Sequence, residues 1–543
     1  MPSTSRPRLA ARSVSISRYR RPLHAAASGI LLSLAFPTAG LWFLAFGALV
    51  PLLLLLHQDS PGPRDQAQSP RGARWAPWIT GIVFNVLMFW WIVRLPAKAM
   101  TQPWLIFPGL LALGLYLGLY VALFGWIVRF LRRRLGWPVL AAAPFAWAAS
   151  EWAKSSGTLG CPWGNVGYAL AAHPAWIQGA SLVGAPGLSV WIVTVNALLA
   201  AAVAARRWGS RAAFAAAAVA AVWLPVHWGQ ARLDAAETRP LARLALVQPN
   251  VSSEDKWNPA LTDSVVGVLA RMTRSAGAST PRPQLILWPE TALPFYVRLE
   301  PLKLHRLMAM VREVGLPVLA GYPDARLSTG GNVITHNAAG LIRPNGAFAG
   351  QYEKIHLVPF GERIPFQSLL PFLGKIDLGQ AEWTAGTRPV VFSGAGPAFG
   401  VLICFESIFP ELARRYALEG AQYLVNITND EWFGPTAGPV QHAEMAILRS
   451  VETGLSTARC ANTGISMLVD PYGRVEKRTP LFQERILAGE IAAGIGPTLF
   501  LEWGDWLTSL CLGVTAILVA VAWFRPIQRL DEALRPEGRT PGR

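Results

Sequence analysis

Phe399-Gly400-Val401-Leu402-Ile403-Cys404-Phe405-Glu406 is an unbroken apolar run that ends in a cysteine and then an acid. Continuous rather than alternating hydrophobicity over so short a stretch points to a strand buried on both faces, as in a sheet covered by helices. Segments 423–428 (YLVNIT) and 284–289 (QLILWP) read the same way, and 243–248, 317–322, 335–342 and 464–470 are further strand candidates. Helical patterns fall at 261–276, 302–315, 409–420 and 438–453, the last two with apolar residues three and four apart. Asn345-Gly346, between 335–342 and 347–353, predicts a hairpin turn. Strands alternating with helices in this way predict a layered α/β domain over 240–497.

The rest of the chain has a different composition. With 543 residues, 52% hydrophobic, only 15% charged and 23 Trp, and a mean hydropathy of +0.32, the whole is too apolar for an ordinary soluble enzyme. Segments of membrane-spanning length fall near 23–37, 39–56, 76–95, 104–130, 138–153, 184–205, 212–229 and 503–524, the first and fifth being short. A formal charge of +17 does not imply nucleic acid, because the basic residues lie in short runs between apolar stretches rather than on one polar surface. Arginines precede the first span and follow the second (Arg64, Arg71, Arg74), the fourth (Arg129, Arg132, Arg133, Arg134) and the sixth (Arg206, Arg207, Arg211). The positive-inside rule then places both tails, 1–22 and 525–543, in the cytoplasm. Seven crossings within 23–230 leave 240–497 outside, and 503–524 returns the chain.

Three stretches set a reactive side chain at the end of an apolar run. Leu285-Ile286-Leu287-Trp288-Pro289-Glu290 delivers a carboxylate, Tyr352-Glu353-Lys354-Ile355-His356-Leu357-Val358-Pro359-Phe360-Gly361-Glu362 holds a lysine, and Cys404 ends the run quoted first. Each has a plain reading alone: an N-cap acid, a solvated surface lysine, a small core cysteine. Together they supply a nucleophile, a proton acceptor and an oxyanion donor. On that reading the ammonium should lower the thiol pKa, and burial should raise that of Glu290. Cys161, Cys404, Cys460 and Cys511 form no CxxC pair, so neither a disulfide framework nor a zinc site is indicated.

The W-P-E, K-x-H-L-V-P-F-G-E and I-C-F-E stretches, in this order, resemble the nitrilase (carbon–nitrogen hydrolase) superfamily. With seven spans before and one after, the chain resembles the apolipoprotein N-acyltransferase family over nearly its full length. Val247-Gln248-Pro249-Asn250 with Lys256-Trp257, Asn426 through Gly434 with Gln441-His442, and Ala461 through Ser466 extend the likeness. The resemblance implies a polytopic α-helical membrane domain plus an αββα sandwich. It also implies Glu290 as general base, Lys354 as oxyanion stabiliser, Cys404 as nucleophile, and supporting roles for Glu362 and Glu406. Phe405 departs from the family, which often has tyrosine there. No cofactor or metal is implied. The implied partners are a phospholipid acyl donor, a diacylated apolipoprotein acceptor and the lipid bilayer, with no nucleic acid, for a monomer in the bacterial inner membrane whose catalytic domain faces the periplasm.

Trp257 and Trp432 are candidates for lining a substrate groove, though aromatic packing fits them equally. Phe360, Phe366 and Phe372 lie in segments able to dip towards lipid. His356, Asp430 and His442 are expected in structural polar roles, and Cys460 and Cys511, the latter within the last span, are expected to be structural. Three rival functions fit parts of the pattern. A membrane-tethered amidase would need one anchor, not eight. A transporter would need charged residues within spans, of which Glu151 is the clearest. A catalytically dead fold would lack part of the triad, which is complete.

Overall fold

The computed structural model describes residues 13–37, 39–58, 73–95, 103–327, 331–367, 369 and 382–525; the loop residue Phe372 and most of both tails lie outside them. The N-terminal part is built of helices α1 (Ser13–Leu34), α2 (Val50–Gln58), α3 (Ala76–Met88), α4 (Ile106–Leu135), α5 (Val139–Ser155), α6 (Ala180–Ala204) and α7 (Trp208–Asp234). Ala76–Arg94, α4, α6, α7 and the C-terminal helix Trp506–Phe524 are the five described helices long and apolar enough to cross a membrane. The other three segments expected to span are less regular. The second divides into a short 3-10 turn, Trp42–Phe46, and the nine-residue α2. The fifth, α5, has 17 residues and buries Glu151 and Lys154. The first, α1, begins within the arginine-rich tail. Helices α3 and α4 meet almost backbone to backbone: a Cβ on Gly81 would lie 2.7 Å from the Gly118 Cα. Small residues permit such approach where helices pack without a hydrophobic driving force between them.

The second part is two six-stranded sheets. The first joins β1 (Pro240–Gln248), β2 (Leu285–Leu287), β3 (Val318–Leu327), β4 (Val333–Ile342) and β5 (Phe348–Glu353) to β12 (Arg485–Ala492), in the order β12-β1-β2-β3-β4-β5. The second runs β11-β10-β9-β8-β7-β6, from β6 (Val391–Phe392), β7 (Phe399–Ile403), β8 (Tyr423–Thr428), β9 (Ser456–Ala461), β10 (Met467–Val469) and β11 (Val475–Arg478). Each has parallel inner strands, β1-β2-β3 in one and β7-β8-β9 in the other, flanked by antiparallel ones.

Side-chain alternation sets the layers. Leu244, Leu246, Leu285 and Leu287 point inward and pack with Val401, Ile403, Val425 and Ile427 of the other sheet. Their neighbours Ala245, Val247, Ile286 and Trp288 point outward onto α8 (Thr262–Gly277) and α9 (Pro301–Val314), through Leu269, Met272, Leu307 and Val311. The outer face of the second sheet is covered by α10 (Pro410–Leu418) and α11 (Ala437–Thr453). Apolar residues of α11, with Phe405, Ile408, Phe409, Met467 and Val469, belong to the same core cluster as the membrane-type helices. The αββα sandwich thus shares its fourth layer with the N-terminal part. The expected hairpin is present, with Gly346 in the left-handed region and Arg343 N–H bonded to the Ala347 carbonyl at 2.8 Å.

Candidate active site

β2 exits through Trp288-Pro289 to Glu290, and neighbouring β3 makes room for it. A Cβ on Gly321 would lie 2.4 Å from the Pro289 carbonyl oxygen and 2.8 Å from the Glu290 Cα, so this crossing requires glycine. Glu290 is 6% exposed. Its Oε1 accepts from Asn337 Nδ2 at 2.7 Å and from Lys354 Nζ at 3.3 Å, and its Oε2 accepts from the Asn429 N–H at 2.8 Å.

Lys354 follows β5 and is 1% exposed, so its ammonium is no solvated surface charge. It donates to Glu362 Oε1 at 2.8 Å as well as to Glu290. Burial alone would depress its pKa, but Glu362, then Glu290 and the Cys404 thiol, outweigh burial and hold it above the ordinary lysine range. Glu362 is fixed in turn, accepting from Asn337 Nδ2 at 3.1 Å and from the Val358 N–H at 2.9 Å.

Cys404 begins the 3-10 turn Cys404–Ile408 just beyond β7, with φ at 52°. A residue with a Cβ enters this left-handed region at a cost of about 1–3 kcal/mol, and such geometry is concentrated at functional turns. Burial, then the Glu290 charge, raise the thiol pKa, and the Lys354 ammonium lowers it by less. The lowering expected from the ammonium is present but is outweighed by burial and by Glu290, so the resting thiol keeps its proton and thiolate forms only by handing it on.

Glu406, fully buried, ties the elements together. Its Oε1 accepts from Tyr352 Oη at 2.7 Å and from the N–H groups of Ile355 and His356 at 2.7 and 3.1 Å; its Oε2 accepts from the Ile403 N–H at 2.7 Å. The backbone just after Lys354 and that just before Cys404 thus hang on one carboxylate. Burial pushes its pKa up to about 7 against the pull of these hydrogen bonds.

Trp257 and Trp432 leave 46% and 44% of their surface exposed. Their segments meet at a rim, where Glu431 accepts from the Ser253 N–H and hydroxyl, both at 2.6 Å. Cys460 lies buried on β9 with its thiol against the Val247 and Leu287 carbonyls at 3.4 and 3.3 Å, a packing role as expected. His356 stacks on Phe409 at 4.3 Å.

Asn337, not singled out in the sequence, bridges Glu290 and Glu362 from within β4; its signal is a buried amide on the strand face that continues into the core residues Ala339 and Leu341. Nor does the sequence single out Arg459. It lies on β9, fully buried, and its guanidinium donates to Asp430 Oδ2 at 2.8 Å and to Asn426 Oδ1. Asp430 in turn contacts His442 Nδ1 at 2.9 Å, and Arg459, followed by His442, holds its carboxyl below the usual range against burial. Burial and Arg459 lower the His442 pKa. Cys404, Asp430 and His442 come within 4.8 Å of one another, but both nitrogens of the imidazole are engaged by protein groups, so the set is not arranged around a common cation.

A buried acid, a buried lysine and a cysteine on a strained turn, set at strand ends of an αββα sandwich, define a nitrilase-superfamily domain. The carbon–nitrogen hydrolase family model matches residues 243–498. The fold is similar to that of an amidase from Nesterenkonia sp., at 19% identity and a TM-score of 0.38, covering 50% of this chain and 96% of that one. The apolipoprotein N-acyltransferase N-terminal domain model matches residues 28–198. The chain is 34% identical to an apolipoprotein N-acyltransferase of Geobacter metallireducens, covering 93% of this chain and 95% of that protein. It is 30% identical to one of Chlorobaculum tepidum, covering 92% and 96%. The chain belongs to the apolipoprotein N-acyltransferase family, and the five long apolar helices among its described residues make it a membrane protein.

Proposed function

We propose that this protein transfers an acyl chain from a phospholipid to the N-terminal amine of a diacylglyceryl-cysteine apolipoprotein through a thioester on Cys404. The observation that carries the reading is the arrangement of Glu290, Lys354 and Cys404 in a sandwich whose outer layer packs into the apolar helices. In the first half-reaction the Cys404 thiol gives its proton to Glu290 as sulfur attacks the sn-1 ester carbonyl. Lys354 stabilises the oxyanion of the tetrahedral intermediate. The intermediate collapses, the ester C–O bond breaks, and the departing lysophospholipid oxygen takes the proton from Glu290. In the second, the acceptor amine attacks the thioester, Glu290 takes the proton the amine loses, and this proton returns to sulfur as the C–S bond breaks. An amide forms and the thiol is restored without any outside energy source. Glu362 keeps Lys354 charged and in place, and Glu406 sets the spacing between Lys354 and Cys404.

The flanking arginines support a periplasmic catalytic domain in the inner membrane, with both tails cytoplasmic and spans as laid out from the sequence. Trp257 and Trp432 are the groove residues of this reading, at the rim beside the Glu290 side of the site. A tethered amidase is disfavoured, because one anchor would serve it where the described residues alone hold five long apolar helices. The test supplies purified protein with phospholipid and a diacylated lipopeptide. A triacylated lipopeptide and lysophospholipid should appear together. An N-acetylated lipopeptide should give no product, since its nitrogen lone pair is delocalised, and product from it would refute the assignment.

A further inference from the structure

His442 stands beside the nucleophile yet outside its proton path. The Cys404 thiol, an Asp430 oxygen and a His442 nitrogen lie within 4.8 Å of one another, the grouping expected of a cysteine–histidine–aspartate triad. Hydrogen bonding rejects that reading. Nε2 of His442 lies 3.0 Å from the carbonyl oxygen of Cys404. The same nitrogen lies 3.2 Å from the Ser407 hydroxyl, but that hydroxyl donates to the Cys404 carbonyl at 3.0 Å, and a carbonyl only accepts; the tautomer that satisfies all three groups carries its hydrogen on Nε2, which leaves no lone pair there for the thiol proton. Nδ1, at the other side of the ring, meets Asp430 Oδ1 at 2.9 Å and an Arg459 nitrogen at 3.1 Å.

We propose that His442 is a positioning residue: its Nε2–H holds the Cys404 carbonyl, and with it the left-handed turn that presents the thiol, while Asp430 and Arg459 fix the ring. A residue with a Cβ at φ 52° needs its surroundings to hold it there. The carbonyl that follows this torsion also accepts from Ser407 Oγ at 3.0 Å, with Asn426 Nδ2 at 3.5 Å. His442, Asp430 and Arg459 are all fully buried, and a buried charged chain is costly unless every member is paired. Here Asp430 pairs with both Arg459 and His442, with only the Arg459 Nε left without a partner, and the chain ends on the backbone of Cys404. The ring is held from the membrane side too. Trp163, in the loop after α5, stacks on it at 5.5 Å and donates through Nε1 to the adjacent Gln441 at 3.1 Å. The last helix layer of the sandwich and the membrane part therefore bear jointly on the turn at Cys404.

The inference rests on the thioester reading for one readout only. Two rates are compared in wild type, His442→Gln and His442→Asn: single-turnover acylation of Cys404 by phospholipid, and alkylation of Cys404 by iodoacetamide, which needs no substrate. A glutamine amide N–H reaches about where Nε2 stood, whereas asparagine reaches only as far as Nδ1. Acylation should slow about tenfold to a hundredfold in His442→Asn, with the half-saturating phospholipid concentration nearly unchanged, and His442→Gln should recover most of the loss. Alkylation should rank the variants in the same order. Equal collapse of both variants, with a displaced pH profile for acylation, would make His442 the base and overturn the proposal. So would wild-type rates in both. If His442→Asn does not accumulate folded, Ser407→Ala removes the other short hydrogen bond to the same carbonyl; it should slow acylation in the same direction and by less, and an unchanged rate counts against the proposal. Wild-type protein that alkylates in the expected order of variants but never acylates would sink the acyl-transfer reading and leave the positioning role standing.

Discussion

Two cysteines end up almost equally hidden in the second sheet and differ in everything else. Cys404 and Cys460 are 9% and 0% exposed, and burial raises both thiols above their ordinary pKa. Cys460 sits in the regular ladder of β9, its sulfur against two backbone carbonyls. Cys404 leaves β7 on a left-handed turn, with Glu290 and Lys354 as its charged neighbours and a hydrogen-bonded carbonyl beneath it. Burial therefore does not separate the proposed nucleophile from a core residue. Backbone geometry and a proton acceptor do.

The sharpest way to break this contrast is to remove each thiol. Cys404→Ala should abolish acyl transfer, a loss on the order of 10⁴-fold or more, in a protein that still folds and inserts. Cys404→Ser should be nearly as inactive. Lipopeptide acylation assays decide it, and a Cys404→Ala protein with substantial activity ends the mechanism. Next in size is Lys354→Met, which leaves Glu290 and Glu362 without their shared ammonium. Activity should fall about 10²- to 10³-fold, and stability by about 3–5 kcal/mol, as expected when one partner of a buried charge set is removed. Thermal unfolding in detergent reads the second effect; an unshifted midpoint would mean that the carboxylates are solvated.

Glu406→Gln should cost less, about tenfold to a hundredfold in acylation, because an amide cannot accept from all four donors that the carboxylate serves. It carries a pH signature as well. The folded pKa is about 7 against 4.5 for the free group, so the native state binds the extra proton between those values. Its contribution to stability is full below about pH 4.5 and is lost as pH rises through 7. Wild-type stability should therefore decline more steeply from pH 5 to 8 than that of Glu406→Gln, and parallel curves would contradict the assignment. The smallest effect belongs to Cys460→Ala: activity within about threefold of wild type and a stability loss of about 1 kcal/mol.

Much of the site was legible because its residues close apolar runs. Glu290, Lys354 and Cys404 each end or follow a strand that the sequence marks clearly, and these strands lie in the two sheets that face each other across the core. Strands that lack such marking were missed. β9 (STARCA) is interrupted by Arg459, and β11 and β12 carry charge on faces that see solvent. Asn337 and Arg459 escaped notice for one reason: a buried polar residue in a strand looks like an exception until the partner from a distant segment is in view. His442 and Asp430 are expected from the sequence in structural polar roles; the structure sets His442 between Asp430 and the backbone carbonyl of Cys404, a contact across distant segments that the sequence does not display. In the helical part, hydropathy found the long spans; the broken second segment and the charged α5 follow from turns and buried polar groups that a window average smooths over.

The account stands most directly on what happens to Cys404 when phospholipid is the only substrate. A transferase should keep water from its thioester until an amine arrives. Mass spectrometry of the purified protein after incubation with phospholipid should then find one acyl chain on Cys404, none on Cys460, and about one equivalent of lysophospholipid per protein before the reaction stalls. An unmodified Cys404, or steady release of free fatty acid with no acceptor present, would contradict it.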